Sequence, residues 1–140
     1  MMQQHTTSLD IETPGSGLHE VTARIRDWTA KAGVQTGLLT IFCQHTSCSL
    51  LIQENAAPAA RRDLETYFAR IAPEDATRYE HDDEGPDDMP AHLRAALTQV
   101  QLSIPVMEGS LALGRWQGIY LFEHRRRPQA RTLALHLLGK

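Results

Sequence analysis

Two short runs in this chain are almost wholly apolar, Leu38–Cys43 and Ile119–Phe122. They constrain the fold more than any other feature. Each has the length and residue types of a strand with apolar side chains on both faces. Such strands need cover on both sides. A sheet packed on a second sheet provides it, as does a sheet covered by a partner subunit.

The rest of the pattern is read around these runs. Gln3–Glu12 has the threonine-rich character of an edge strand, closed by Pro14-Gly15-Ser16-Gly17. Leu18, Val21, Ile25 and Trp28 share one helical face, which predicts a helix over Leu18–Ala32 ended by Gly33. Ser49–Ile52 is a second short apolar strand after Leu38–Cys43, and the intervening Gln44-His45-Thr46-Ser47 is too polar for a core. A helix over Ala57–Ile71 follows, with Pro58 in its first turn, Asn55 as a candidate cap, and Pro73 to stop it. Its expected buried stripe is Ala60, Leu64, Tyr67 or Phe68, and Ile71. A short helix spans Pro90–Leu97. Strands over Leu102–Val106 and Leu111–Leu113 flank a tight turn at Glu108-Gly109. Ile119–Phe122 and Leu133–Leu138 complete the set, joined through Arg125-Arg126-Arg127-Pro128-Gln129. About seven strands in hairpins and three helices define an α+β class: a largely antiparallel, sandwich-like sheet with helices on one side. The 140 residues fit one domain over 1–140.

Charge and composition narrow the function classes. A net charge of -3 leaves no electrostatic footprint for nucleic acid. No apolar run approaches the ~18 residues of a membrane span, and Met1–Thr6 lacks the pattern of a signal peptide. Cys43 and Cys48 lie five apart in apolar surroundings and read as reduced core residues, so a cytoplasmic location is expected.

Against that near-neutral balance, six acidic residues crowd between Glu80 and Asp88, bracketed by His81 and His92. Imidazole and carboxylate are the groups that bind borderline and hard cations and move protons near neutral pH. Asp88 stands four residues before His92, a spacing that brings both to one side of a helix start. The competing reading has Asp87 or Asp88 capping the helix that Pro90 opens, with the other acids solvated. At the polar turn, Thr46, Ser47 and nearby N–H groups could hold an anion, or the hydroxyls could simply stabilise the turn. Glu54 and Asn55 precede a helix, where capping is the plainer role. In Gly114-Arg115-Trp116-Gln117-Gly118, Trp116 could stack on a ring and Gln117 read its edge, or the glycines could mark a bulge beside a packed tryptophan. Cys48 reads as packing rather than as a nucleophile. The arginines Arg125–Arg127 read as a solvated loop tip able to contact phosphate.

His45-Thr46-Ser47, Gln53-Glu54-Asn55, His81 with Asp88 and His92, and Leu113–Tyr120 together resemble the YjbQ-like family. Its members are described as secondary thiamine-phosphate synthases. The resemblance spans nearly the whole chain. Ser47 stands where the family usually has threonine, and Cys48 where it commonly has alanine. The Asp-Asp-Met-Pro-Ala-His form differs from the family's shorter Asn-x-Asp-Ala-His, although Asp88 and His92 match.

The resemblance implies an α+β sandwich assembling as a homotrimer, with the polar blocks near subunit interfaces and a divalent metal, zinc or magnesium, near the histidines. It implies a transferase that joins a hydroxymethylpyrimidine pyrophosphate to a thiazole phosphate, releasing pyrophosphate. On that reading His45, His81 and His92 bind metal or donate to phosphate. Asp87, Asp88 and Glu54 ligate a cation, and Thr46 and Ser47 hold phosphate oxygens. Trp116 stacks on the pyrimidine and Gln117 orients it. No side-chain nucleophile is needed, because the thiazole nitrogen attacks. Asp82, Asp83 and Glu84 remain solvated loop residues. Two other readings use the same groups: a metal-dependent hydrolase of phosphate esters, and a non-enzymatic trimer that binds a metal or small ligand.

Overall fold

A computed structural model describes residues 1–140. Eight strands form two antiparallel sheets. The larger sheet contains β1 (Gln3–Thr13), β3 (Gly37–Cys43), β5 (Gln101–Met107), β6 (Ser110–Leu111) and β8 (Gln129–Gly139), in the order β1-β8-β3-β5-β6. The smaller contains β2 (Gly17–Glu20), β4 (Cys48–Glu54) and β7 (Gln117–Glu123), with β7 in the centre. Three helices, α1 (Thr22–Ala32), α2 (Pro58–Ile71) and α3 (Asp88–Leu97), complete the α+β architecture.

Strand periodicity builds the core. On β8 the inward positions are Leu133, Leu135 and Leu137, and on β5 they are Leu102, Ile104 and Val106. They meet Leu50, Ile119 and Leu121 of the smaller sheet, Val21 just before α1 and Ile25 within it, in one buried cluster. Each fully buried side chain of this kind contributes about 1.5–3 kcal/mol of hydrophobic stabilisation. The second face of β7 is apolar too: Tyr120 and Phe122 pack with Leu18 under Leu64 and Phe68 of α2. Phe68 meets Phe122 edge-on with ring centroids 5.4 Å apart.

Ile119–Phe122 is therefore buried on both faces, as its composition requires. Leu38–Cys43 is not. Leu39, Ile41 and Cys43 face the core, whereas Leu38 and Phe42 are 44% and 45% exposed. All three helices lie away from the outer face of the larger sheet, so that face has no cover within the chain.

Three other expectations are corrected. Leu18 belongs to β2, paired with Phe122, and the helix begins only at Thr22. The apparent stripe Leu18-Val21-Ile25 mixes residues of two different clusters, Leu18 under α2 and the other two in the main core. Asn55 does not cap α2. Its amide donates to Glu20 at 3.2 Å, while Glu54 accepts the Ala57 N–H at 3.1 Å. The stripe of α2 is shorter than its pattern: Leu64 and Phe68 pack inward, but Ile71 is 43% exposed. The Glu108-Gly109 turn has φ of 51° and 80° at its two residues, the geometry of a primed hairpin turn. The Cys43 and Cys48 thiols are buried and free, with sulfurs 3.4 Å apart. No helix is long and apolar enough to cross a membrane.

Candidate functional site

The acidic run folds back on the first turn of α3. Asp88 is the first residue of that helix and is buried, and His92 lies one turn on, facing the same way. One Asp88 oxygen, Oδ2, is 2.9 Å from His81 Nε2 and 3.1 Å from His92 Nε2. Glu84 Oε2 approaches His81 Nε2 at 3.5 Å. The ligand atoms of His81, Glu84, Asp88 and His92 lie within 4.8 Å of one another. Neither Asp87 nor Asp88 caps the helix, since the N-cap residue Asp87 makes no side-chain cap bond.

What holds the carboxylates instead is Arg125. Its Nη1 donates to Asp88 Oδ1 at 2.6 Å, its Nε to Asp87 Oδ2 at 3.3 Å and its Nη2 to the Glu84 carbonyl at 2.9 Å. Asp87 also accepts the Arg126 N–H at 2.9 Å. Burial opposes ionisation of both aspartates. For Asp88 the charge of His92, with bonds from His81 and the charge of Arg125, outweighs it and holds the carboxyl below its ordinary range. For Asp87 the Arg126 N–H and the Arg125 charge do the same. His81 moves the other way, its pKa raised chiefly by its bond to Asp88. So Arg125 is a structural member of the site, not part of a solvated tip. Glu84 also reaches the cluster, although it stays on the loop with its side chain 61% exposed.

The polar turn after β3 supplies the other support. The Nδ1 of His92 bonds to the Thr46 carbonyl at 3.1 Å. Ser47 accepts Arg131 Nη2 at its hydroxyl, at 2.9 Å, and at its carbonyl, at 3.2 Å. Arg131 in turn forms a buried ion pair with Glu123, whose carboxylate also accepts the Thr13 hydroxyl at 2.6 Å and the Arg125 N–H at 3.1 Å. Burial pushes the Glu123 carboxyl up, but the bonds from Arg131 and Thr13 prevail and keep it ionised. This pair ties the turn that orients His92 to the backbone that carries Arg125. Sequence reasoning missed its role. One signal was present: Arg131 has the same strand parity as the buried Leu133, Leu135 and Leu137.

The remaining candidates are not brought together with this cluster. His45 sits on the turn, but its Nε2 accepts the Thr132 N–H at 2.8 Å, which occupies the lone pair a metal would need. Burial, then the Arg131 charge, lowers its pKa and keeps it neutral. The Thr46 hydroxyl is exposed. Glu54, Trp116 and Gln117 lie at the far end of the smaller sheet. Glu54 pairs with Gln117 across β4 and β7, whereas Cys48, next to Ser47, pairs with Glu123. Six residues of strand separate the two ends, about 20 Å. There Trp116 is 55% exposed under the Arg115 guanidinium, and Gln117 accepts the Gly114 N–H at 2.7 Å. The strand is regular at Gly118, with no bulge. Glycine gives room here: a Cβ would stand 2.7 Å from Glu20 Oε2 and 3.0 Å from Asn55 Cβ, so those side chains would have to shift.

The fold and site define an α+β two-sheet protein with a histidine–carboxylate cluster at one end of its smaller sheet. The chain belongs to the family described as UPF0047 protein YjbQ-like, which matches residues 7–140. It is 49% identical over 138 residues to a UPF0047 protein of Synechocystis, covering 99% of this chain and 94% of that one. It is 43% identical to UPF0047 protein YjbQ of Salmonella typhimurium over 141 residues, covering 100% of both. A crystal structure of a YbjQ-like protein of unknown function from Sulfolobus solfataricus superposes with a TM-score of 0.92 over 100% of both chains, at 23% identity. A conserved hypothetical protein of Thermus thermophilus matches at TM-score 0.78 and 34% identity, over 92% of this chain and 97% of that one.

Proposed function

We propose that the protein is a divalent-metal-dependent enzyme that displaces pyrophosphate or phosphate from a phosphorylated small molecule, in the manner of a thiamine-phosphate synthase. The observation that carries this is the convergence of His81 Nε2 and His92 Nε2 on one buried Asp88 oxygen, with Glu84 within reach. The Nδ1 of His92 faces a carbonyl, which can only accept, so Nδ1 carries an N–H and Nε2 is the nitrogen left to bind a cation. Such a donor set is matched by a cation. His81, His92 and Asp88, with Glu84 at hand, would hold it, and the Thr46 carbonyl fixes the tautomer that presents Nε2. Two imidazoles favour zinc or a similar borderline ion over magnesium. When bound, the ion would supply Lewis-acid stabilisation of the departing oxygen. Arg125 holds the Asp88 carboxylate in place, and the turn at Thr46 keeps His92 aimed.

In the transferase reading the bond from the pyrimidine methylene carbon to pyrophosphate breaks, and the thiazole nitrogen forms the new C–N bond. Trp116 and Gln117 are about 20 Å from the cluster within one chain, so this reading needs a neighbouring subunit to supply them. Exposed Leu38, Phe42 and Leu138 on the uncovered outer sheet face support self-association, and we propose a homotrimer. The two free buried thiols go with a cytoplasmic location. The hydrolase reading, with water as acceptor, needs only the residues of one chain, and the separation of Trp116 from the cluster favours it if the protein is monomeric.

The test is an assay of thiamine phosphate formation from both substrates with zinc or magnesium, alongside phosphate release from each substrate alone. Mixing His92→Ala with Trp116→Ala should restore synthesis when subunits share the site. Full synthesis by folded His81→Ala and His92→Ala proteins would sink the assignment. Phosphate release without synthesis would select the hydrolase.

A further inference from the structure

Beside the cluster runs a groove of about 600 Å³ between Glu84–Asp87 and Arg125–Pro128, lined by three arginines, two acids, two prolines and a glycine. Apart from Pro86, Pro128 and Gly85, every lining residue is charged. Arg125 is fully engaged with Asp87, Asp88 and the Glu84 carbonyl. The other two guanidinium groups are available. Arg126 makes one ion pair, to Glu74 at 3.1 Å, in which the arginine is 59% exposed. Such a surface pair is worth at most about 1 kcal/mol and exchanges readily for a better partner. Arg127 has no ion-pair partner. Planar guanidinium forks match phosphate oxygens two at a time. The groove and the cluster share Glu84, and Arg125 spans both, so a ligand in one lies next to the other.

We propose that Arg126 and Arg127 anchor the distal phosphate of a diphosphate-bearing ligand whose near end reaches the His81–Asp88–His92 cluster. This rests on the metal-dependent reading above and names its substrate class. It carries a condition on order. Glu74, Glu84, Asp87 and Asp88 outnumber the three arginines, so a multiply charged anion is repelled until a divalent cation reverses the local balance. A long polyanion would also meet Asp82 and Asp83 in the adjoining run, which restricts the ligand to a small molecule.

Calorimetric titration of inorganic pyrophosphate into Mn²⁺-loaded and metal-free protein tests this, with wild type compared to the Arg126→Gln/Arg127→Gln double variant. Losing two charge-assisted contacts should weaken pyrophosphate binding by about tenfold or more in the loaded protein. Mn²⁺ affinity, measured without pyrophosphate, should change by less than about twofold, because neither arginine touches the ligand atoms. An Arg126→Lys/Arg127→Lys variant should recover part of the loss. Equal pyrophosphate affinity in wild type and the Gln double variant overturns the proposal, as does binding by neither. If the wild type takes up no metal, the metal-dependent reading fails by itself. Pyrophosphate binding that is then present in wild type and lost in the Gln variant would support the arginine anchor but overturn the condition that the cation binds first.

Discussion

The ring of His92 bonds through Nδ1 to the backbone carbonyl of Thr46, a residue 46 positions earlier in the chain, at 3.1 Å. That bond joins helix α3 to the turn between β3 and β4, segments that have no local reason to meet. It leaves Nε2 as the atom presented to the Asp88 oxygen that His81 also faces, so the ring is held in a fixed orientation toward the cluster.

Metal affinity should follow this geometry. Removing an inner ligand with His92→Ala or His81→Ala should abolish stoichiometric zinc uptake. Cutting the Arg125 support with Arg125→Met should weaken it by about 10–100-fold. Zinc titration against a chromogenic chelator reads both. Unchanged affinity in either histidine variant would count against the cluster.

The metal-free protein should show a two-sided pH dependence of stability. The folded-state pKa of His81 is raised, so its contribution is complete below its unfolded value of about 6.5 and fades as pH rises through the folded value. Asp88 is depressed, so its contribution is present above its unfolded value of about 3.9 and is lost as pH falls through the folded value. This pair therefore stabilises most between about pH 4 and about pH 6.5. Urea midpoints measured from below about pH 4 to above about pH 6.5 should fall on both sides in the wild type and flatten in Asp88→Asn, and a wild-type profile no different from the variant would refute the coupling.

The Glu123–Arg131 pair should matter for both stability and the site. Glu123→Gln leaves a buried guanidinium unpaired and should cost about 3–5 kcal/mol in urea unfolding. Zinc affinity of the variant that remains folded should fall as well, because Ser47 and the Arg125 backbone are both tied to this pair. Arg131→Lys keeps the charge but loses the fork, and should give a smaller loss of both.

At the far end of the sheet, Gly118→Ala should cost about 1–3 kcal/mol by overpacking. Its Cβ falls 2.7 Å from Glu20 Oε2 and 3.0 Å from Asn55 Cβ, so these side chains must move. Thermal unfolding gives the cost. Zinc affinity should be unaffected, since the cluster lies about 20 Å away along β7.

The elements that were legible in the sequence are those whose residues obey one period throughout. β8 and β5 alternate cleanly, and the Glu108-Gly109 turn follows from the backbone freedom of its glycine. Errors arose where a pattern served two environments. Leu18 fits the helical stripe of α1 yet belongs to β2, because a spacing of three or four residues does not reveal which cluster each side chain enters. Leu38–Cys43 reads as buried on both faces, but burial of its second face depends on what covers it, and nothing in this chain does.

Of the site, Asp88 and His92 were readable because one helical turn links them, and His81 because it opens the same acidic run. The α+β class likewise follows from the sequence, but strand pairing in hairpins does not: only β5 and β6 pair as consecutive strands, and every other strand pairs with one distant in the chain. Tertiary structure alone decided that Glu84 joins the cluster, that Arg125 and the Glu123–Arg131 pair support it, and that His45, Glu54, Trp116 and Gln117 stand apart from it. Those relationships are set by which ends of β4, β7 and β8 lie together, a matter of register and sheet packing across long sequence separations. Local spacing carries no record of it.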